Sequence, residues 1–158
     1  MRQLMFAALF ALSAIALPSC ASTTTGSLIA RDDVMENSRR VAADYAAAWN
    51  AGDMNRFGAL YTSESRHVTL SGEFIRGRQA IISTHRANRE RYADNVRMVT
   101  RLEGARAITN DAIVAVMIVE YTNVANAPDG IQAARLTTTL VREGADWRIA
   151  QAHASQVN

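Results

Sequence analysis

The hydrophobic period of this chain changes once, and that change restricts the fold more than any other feature. Val34, Val41, Tyr45, Ala48 and Trp49 recur at helical spacing. Ile81, Ile82, His85, Arg89 and Tyr92 share the inward face of a later helix by the i, i+3, i+4 rule. After Val96 the period drops to two. Val96–Ala107, Ala112–Asn123, Ile131–Arg142 and Trp147–Gln156 are rich in Val, Ile, Thr and aromatics, the composition of strands. Thr109–Asn110–Asp111, Pro128–Asp129–Gly130 and Glu143–Gly144–Ala145 supply turn chemistry between them. Strands joined by short turns predict an antiparallel meander. Helices first and strands last predict an α+β domain, with helices packed on one face of a curved sheet.

The first half has its own punctuation. Asp32 or Asp33 is placed to cap the first helix, with Glu36 in its first turn. Gly52 ends it. Asp53 caps a short helix, Met54–Tyr61, that buries Phe57 and Leu60. Ser65–Ser71 reads as a strand, Gly72 as a turn and Phe74–Arg76 as a brief second strand. Gly77 leads into a third helix over Arg78–Ala93. The expected order is α-α-β-β-α-β-β-β-β.

The N-terminus carries an address. Met1–Arg2–Gln3 precedes an apolar run from Leu4 to Leu17, then Leu17–Pro18–Ser19–Cys20. One charge, a short apolar run and small residues have the shape of a secretory signal, and the run is shorter than the ~20 residues a bilayer span needs. The last four residues resemble a bacterial lipobox, which would lipidate Cys20; cleavage after Ala21 is the alternative. Ala21–Ser27 reads as a polar tether. The expected organisation is a signal peptide over 1–19, a lipidated cysteine and tether over 20–30, and a domain over 31–158. The expected location is the periplasm or outer surface, anchored to the membrane through the N-terminal lipid.

With only one cysteine, no disulfide can form within the domain, so stability must come from packing. Every basic residue of the 17 Lys+Arg is arginine, set against 15 Asp+Glu, and the arginines are scattered. That distribution does not support a nucleic-acid footprint. Ala112–Val119 is apolar on both faces: Ile113, Ala115, Met117 and Val119 on one, Val114, Val116 and Ile118 on the other. A sheet with helices on one side should be polar on the other. The outer face is therefore expected to be covered, most simply by a second copy; a strand deep in a monomer core is the alternative.

Several local phrases resemble one superfamily. Ala48–Trp49–Asn50–Ala51–Gly52–Asp53 resembles the first helix junction of SnoaL-like and ketosteroid isomerase-like domains, and Phe57–Gly58–Ala59–Leu60–Tyr61–Thr62 the segment before their first strand. The stretch from Gly72 to Ile81 is similar to their Gly-x-Arg-x-Ala-Ile approach to the third helix, and Asp146–His153 to their last strand. Together these resemble the nuclear transport factor 2-like superfamily, over about Val34 to Ser155. The pairing of His85 with His153 is most similar to the SgcJ/EcaC-type branch. The resemblance implies a cone-shaped domain, often dimeric, with a pocket between curved sheet and helices. Members include isomerases, cyclases, dehydratases and hydrolases acting on small hydrophobic molecules, alongside proteins that only bind or assemble.

The isomerases place an aspartate base where this chain has Thr69. A hydroxyl of such high pKa is no general base at neutral pH, so proton abstraction would need another group. The 3 histidines are the candidates. Strict alternation puts Trp147, Ile149, Gln151 and His153 on one face of the last strand, towards the pocket. His85 faces it from the third helix. His67 shares a strand face with Thr69 and Ser71, and Tyr45 and Trp49 form an apolar wall. His85 and His153 are the expected acid–base pair, with Tyr45, Trp49, His67, Thr69, Trp147 and Gln151 as pocket residues. Each histidine has a plainer reading: a bonded core residue for His85, a fastening of the last strand for His153, a rim residue for His67. No metal is expected, since no paired ligand spacing is present, and no cofactor, since no nucleotide-binding glycine loop is present.

The sequence thus supports a domain binding a small, mostly apolar ligand, with histidine acid–base chemistry, or a non-catalytic dimeric binding or assembly module. Two outcomes follow from it directly. Cys20→Ala should release the protein from the membrane fraction of a bacterial host; a wild-type protein already soluble in the periplasm would contradict lipidation. Val116→Arg should split a dimer that buries the outer face, because charge placed against its symmetry mate is destabilising. Light scattering reads this, and a wild-type monomer at micromolar concentration would refute it.

Overall fold

The computed structural model describes residues 28–125, 127 and 132–157. Its elements are α1 (Arg31–Ala51), α2 (Met54–Ala59), β1 (Tyr61–Val68), β2 (Phe74–Arg76), α3 (Arg78–Glu90), β3 (Arg97–Thr109), β4 (Ala112–Thr122), β5 (Gln132–Glu143) and β6 (Asp146–Gln156). They form one 6-stranded sheet in the order β2-β1-β6-β5-β4-β3. The strands from β3 to β6 make the expected antiparallel meander. β1 joins parallel to β6, which makes the sheet mixed. Three helices cover its concave face, giving the α+β cone that the element order predicts. The signal segment, Cys20 and most of the tether lie outside the described residues, as does Ile131.

Helix boundaries follow local chemistry. α1 begins after Ala30 with no side-chain cap; Asp32 and Asp33 lie inside its first turn, where they complement the helix dipole rather than cap it. Gly52 ends α1 in the left-handed conformation at φ 68°, donating its N–H to Ala48 and Trp49 carbonyls. Asp53 caps α2 by accepting from the Arg56 N–H at 2.9 Å. α2 stops at Ala59 because Tyr61 already belongs to β1, and Leu60 is left half-buried. The strand expected over Ser65–Ser71 runs earlier, since Thr69 and Gly72 close a turn: Gly72 donates to the Thr69 carbonyl at 3.0 Å. α3 ends at Glu90, three residues before the expected Ala93.

Three contacts lock the helices to the sheet and to one another. The Asn50 amide donates to the Met98 carbonyl and accepts from the Met98 N–H, both at 2.8 Å, as a neighbouring strand would. Arg89 donates to the Trp49 carbonyl at 2.9 Å, tying α3 to the end of α1. At Gly58 a Cβ would lie 2.2 Å from Ile82 Cδ1, so this glycine is what allows α2 to approach α3. The core between the layers holds Trp49, Phe57, Tyr61, Ile81, Ile113 and Ile149, each 0% exposed.

Strict alternation fails in β6. Leu140 pairs with Ile149 but Thr139 pairs with Gln151, so Ala150 is an extra residue without an opposite. Beyond it the faces exchange. Ile149, Ala152 and Ala154 turn towards the helices, while Gln151 and His153 lie on the outer face. On that outer face, Val114 and Val116 are half-buried and Ile118 is only 3% exposed. Ile118 lies between Arg101 and Arg135, and Arg135 pairs with Glu103 at 2.7 Å. Arginine stems therefore cover part of the apolar outer surface within one copy.

Candidate active site

Between α1, α3 and the sheet lies a cavity of about 260 Å³. Its deep end is built from Tyr45 of α1, His67 of β1 and His85 of α3; Val119, Leu136 and Ala154 form the sheet side. Thr69, Leu70 and Ser71 stand at its mouth in the β1–β2 turn, and Tyr92, Tyr121 and Gln132 form the opposite wall. That wall is closed by a hydrogen bond from the Tyr92 hydroxyl to Gln132 Oε1 at 2.8 Å, and by stacking of Tyr92 on Tyr121 at 5.2 Å. No Asp, Glu or Arg lines the cavity among the described residues.

The chemistry is concentrated in two imidazoles. His67 is 4% exposed and His85 is 8% exposed. Their ring centroids are 5.2 Å apart, edge to face. His85 also packs against Phe57 at 4.6 Å and Tyr45 at 6.2 Å. His67 Nδ1 meets the Tyr61 hydroxyl at 3.4 Å, whereas His85 has no hydrogen-bond partner among the described residues. The sealed, unbonded side-chain atoms among the described residues belong to Trp49, Ser65, Arg78 and Arg148. None belongs to either histidine, so their free nitrogens open onto space.

Desolvation sets the charge of the pair. Burial first, and the nearby His153 second, lower His67 to about 4. Burial first, and His67 second, lower His85 to about 3. Both are neutral at physiological pH. A neutral imidazole carries one donor and one acceptor, so the pair can polarise or hydrogen-bond an uncharged ligand on both sides.

The structure brings together Tyr45, His67, Thr69 and His85, and separates the rest of the expected site. His153 is exposed on the outer face, opposite Val68, while its neighbour Ala152 pairs with the buried His67. The expected His85–His153 pair is therefore replaced by His85–His67, because the extra residue at Ala150 turns His153 away. His67 is no rim residue. Trp49 does not line the cavity: it stands behind Tyr92 and Tyr121, at 5.9 and 5.2 Å. Trp147 lies in a different groove with Arg40, Val41 and Arg56, and Gln151 faces outward. Sequence reasoning missed Tyr61, Tyr121 and Gln132. Tyr61 opens a strand that was placed four residues too late, and the other two flank the β4–β5 connection, where no periodicity marks a pocket.

A profile of the SnoaL-like domain matches residues 39–158, most of the chain. The chain belongs to the SnoaL-like family. This places it in the nuclear transport factor 2-like superfamily, as its topology requires. Among solved structures it is similar to an uncharacterised protein with a cystatin-like fold from Caulobacter vibrioides, at 25% identity and TM-score 0.66, covering 80% of this chain and 91% of that one. A ketosteroid isomerase-like protein from Erwinia carotovora atroseptica is 17% identical with TM-score 0.65, covering 80% and 98%. A candidate scytalone dehydratase from Novosphingobium aromaticivorans is 14% identical with TM-score 0.65, covering 78% and 84%. At the identities of the last two the likeness is one of fold. No curated protein matches the chain.

Neutral burial of two histidines makes stability pH-dependent in a stated direction. Their folded pKa values lie below the unfolded value near 6.5. Their contribution is fully present above about pH 6.5, where neither state binds the proton. Below it the unfolded chain takes up protons that the fold refuses, and each histidine removes about 1.4 kcal/mol per pH unit. The loss continues down to about pH 4 for His67 and about pH 3 for His85. Urea titrations of the SnoaL-like domain at pH 7.5 and 5 should show this loss, and His85→Leu should reduce the slope. Equal stability at the two pH values would contradict it.

Proposed function

We propose that this SnoaL-like domain binds a small, uncharged, mostly apolar molecule in its cone, at the cell envelope. One observation carries the reading: His85 is buried, lacks a hydrogen-bond partner among the described residues and opens onto the cavity. A buried polar group without a partner costs about 1–3 kcal/mol, and a ligand hydrogen bond would remove that cost. Among the described residues no ionic side chain lines the cavity, which favours a neutral ligand. The void itself supports a binding site over an assembly module filled by its own side chains.

The finer reading is isomerase- or dehydratase-type acid–base chemistry, with His67 and His85 as the pair. Its support is the neutral state of both rings, which leaves each an acceptor nitrogen, and the names of two structural neighbours. With pKa values near 3 and 4 these are weak bases, suited to a substrate proton that is already acidic. We also hold to export and lipid anchoring at Cys20, on the N-terminal sequence, and to the SgcJ/EcaC-type branch, on the occurrence of both His85 and the terminal His153 in the sequence. The outer face around Val114 and Val116 is our proposed contact between two copies.

Native mass spectrometry of protein purified from its host tests the binding reading. Wild type should carry a small molecule, and His85→Leu, which keeps the bulk and loses the nitrogens, should lose it or bind it at least about tenfold more weakly, equivalent to about 1.4 kcal/mol. Equal ligand occupancy in wild type and a folded His85→Leu would overturn the role of His85.

A further inference from the structure

A buried phenol backs one of the two imidazoles. Tyr61 of β1 is 0% exposed. Its hydroxyl meets His67 Nδ1 at 3.4 Å, and that is its one hydrogen-bond partner among the described residues. Water does not reach a side chain this deeply buried, so the hydroxyl proton must find its acceptor in the protein.

Two arrangements of that contact are conceivable, and they differ in what is left over. In the first, Tyr61 donates to His67 Nδ1, and the His67 proton sits on Nε2, on the far side of the ring. In the second, His67 Nδ1–H donates to Tyr61. The Tyr61 proton then has no acceptor among the described residues, and His67 turns a bare lone pair to the cavity. A buried unsatisfied hydroxyl is disfavoured, so the first arrangement prevails. The phenol is not poised to ionise, because burial raises its pKa. It acts as an oriented dipole.

We propose that Tyr61 is a positioning residue that holds His67 as its Nε2–H tautomer, so that the cavity meets a hydrogen-bond donor at His67. The ligand atom placed against His67 must then be an acceptor, such as a carbonyl oxygen. His85 has no such constraint from the described residues and adapts its tautomer to the ligand. The site is thus fixed on one side and adjustable on the other. This assignment of ligand chemistry rests on the binding reading above; the tautomer itself does not.

Histidine tautomers are read directly from two-bond proton–nitrogen NMR spectra of ¹⁵N-histidine-labelled protein. The full chain carrying Cys20→Ala is a suitable sample at pH 7, with His67→Gln identifying the His67 signals. His67 should show the Nε2–H pattern, and Tyr61→Phe, which removes only the hydroxyl, should convert it to Nδ1–H or to a mixture. An Nδ1–H pattern in the parent protein, or an unchanged Nε2–H pattern in Tyr61→Phe, overturns the proposal. Should Tyr61→Phe not fold, the pattern of the parent protein decides alone. Cyclohexanone, a small ring with one acceptor oxygen, then probes the cavity. It should shift the His67 Nε2–H proton in the parent and bind several-fold more weakly to Tyr61→Phe. A confirmed tautomer with no response to the ketone would refute the carbonyl assignment and leave Tyr61 as the positioning residue.

Discussion

A single extra residue in the last strand decides which histidines share a cavity. Ala150 has no opposite on β5, and a sheet has only two faces, so one added residue reverses every side chain beyond it. Ile149, before the bulge, and Ala152 and Ala154, after it, all reach the helix layer. His153 is turned outward as a consequence. The small side chains of Ala152 and Ala154 then leave open the space that His67 and His85 face. A strand of strict alternation would have put Gln151 and His153 there, filling the space with polar bulk.

Desolvation gives that space its character. Among the described residues the charged side chains stay outside the cavity, where their pairs are exposed and worth little, such as Arg56 with Asp44 and Arg135 with Glu103. Inside, two imidazoles are kept neutral and are bordered by phenols whose protons are equally hard to remove. A site of this kind recognises dipoles rather than ions. It also couples stability to acid, because the same burial that keeps the rings neutral makes their protonation costly. The frame that holds this geometry is supplied from a distance: Asn50 bonded twice to Met98, Arg89 capping α1, and Gly58 admitting Ile82.

Much of this was legible in the amino acids. Helical spacing from Val34 to Trp49, Gly52 in a left-handed cap, Asp53 at the next helix, and turn chemistry between four strands are local signals with local causes, and they specify the element order. His85 on the apolar face of α3 was legible for the same reason: helical periodicity carries no ambiguity over two turns. His153 and Gln151 were misplaced, and β1 was begun too late, by one cause. Reading a strand requires a register, and register depends on a partner strand far away in sequence. The early start of β1 at Tyr61 and the extra residue at Ala150 arise in the pairing of β1 and β5 with β6, and no nearby residue signals either.

The sequence by itself determined the class of fold, the order of its elements and the family, because capping, periodicity and turn chemistry act within a few residues. Only the tertiary structure decided which polar groups meet. The partnership of His67 with His85, the Tyr61–His67 contact, and the position of Trp49 behind Tyr92 and Tyr121 come from α1, α3 and opposite strands of the sheet closing on one another. Those contacts are set by strand register and by packing, whose determinants are distributed over the whole chain and are satisfied only when it has folded.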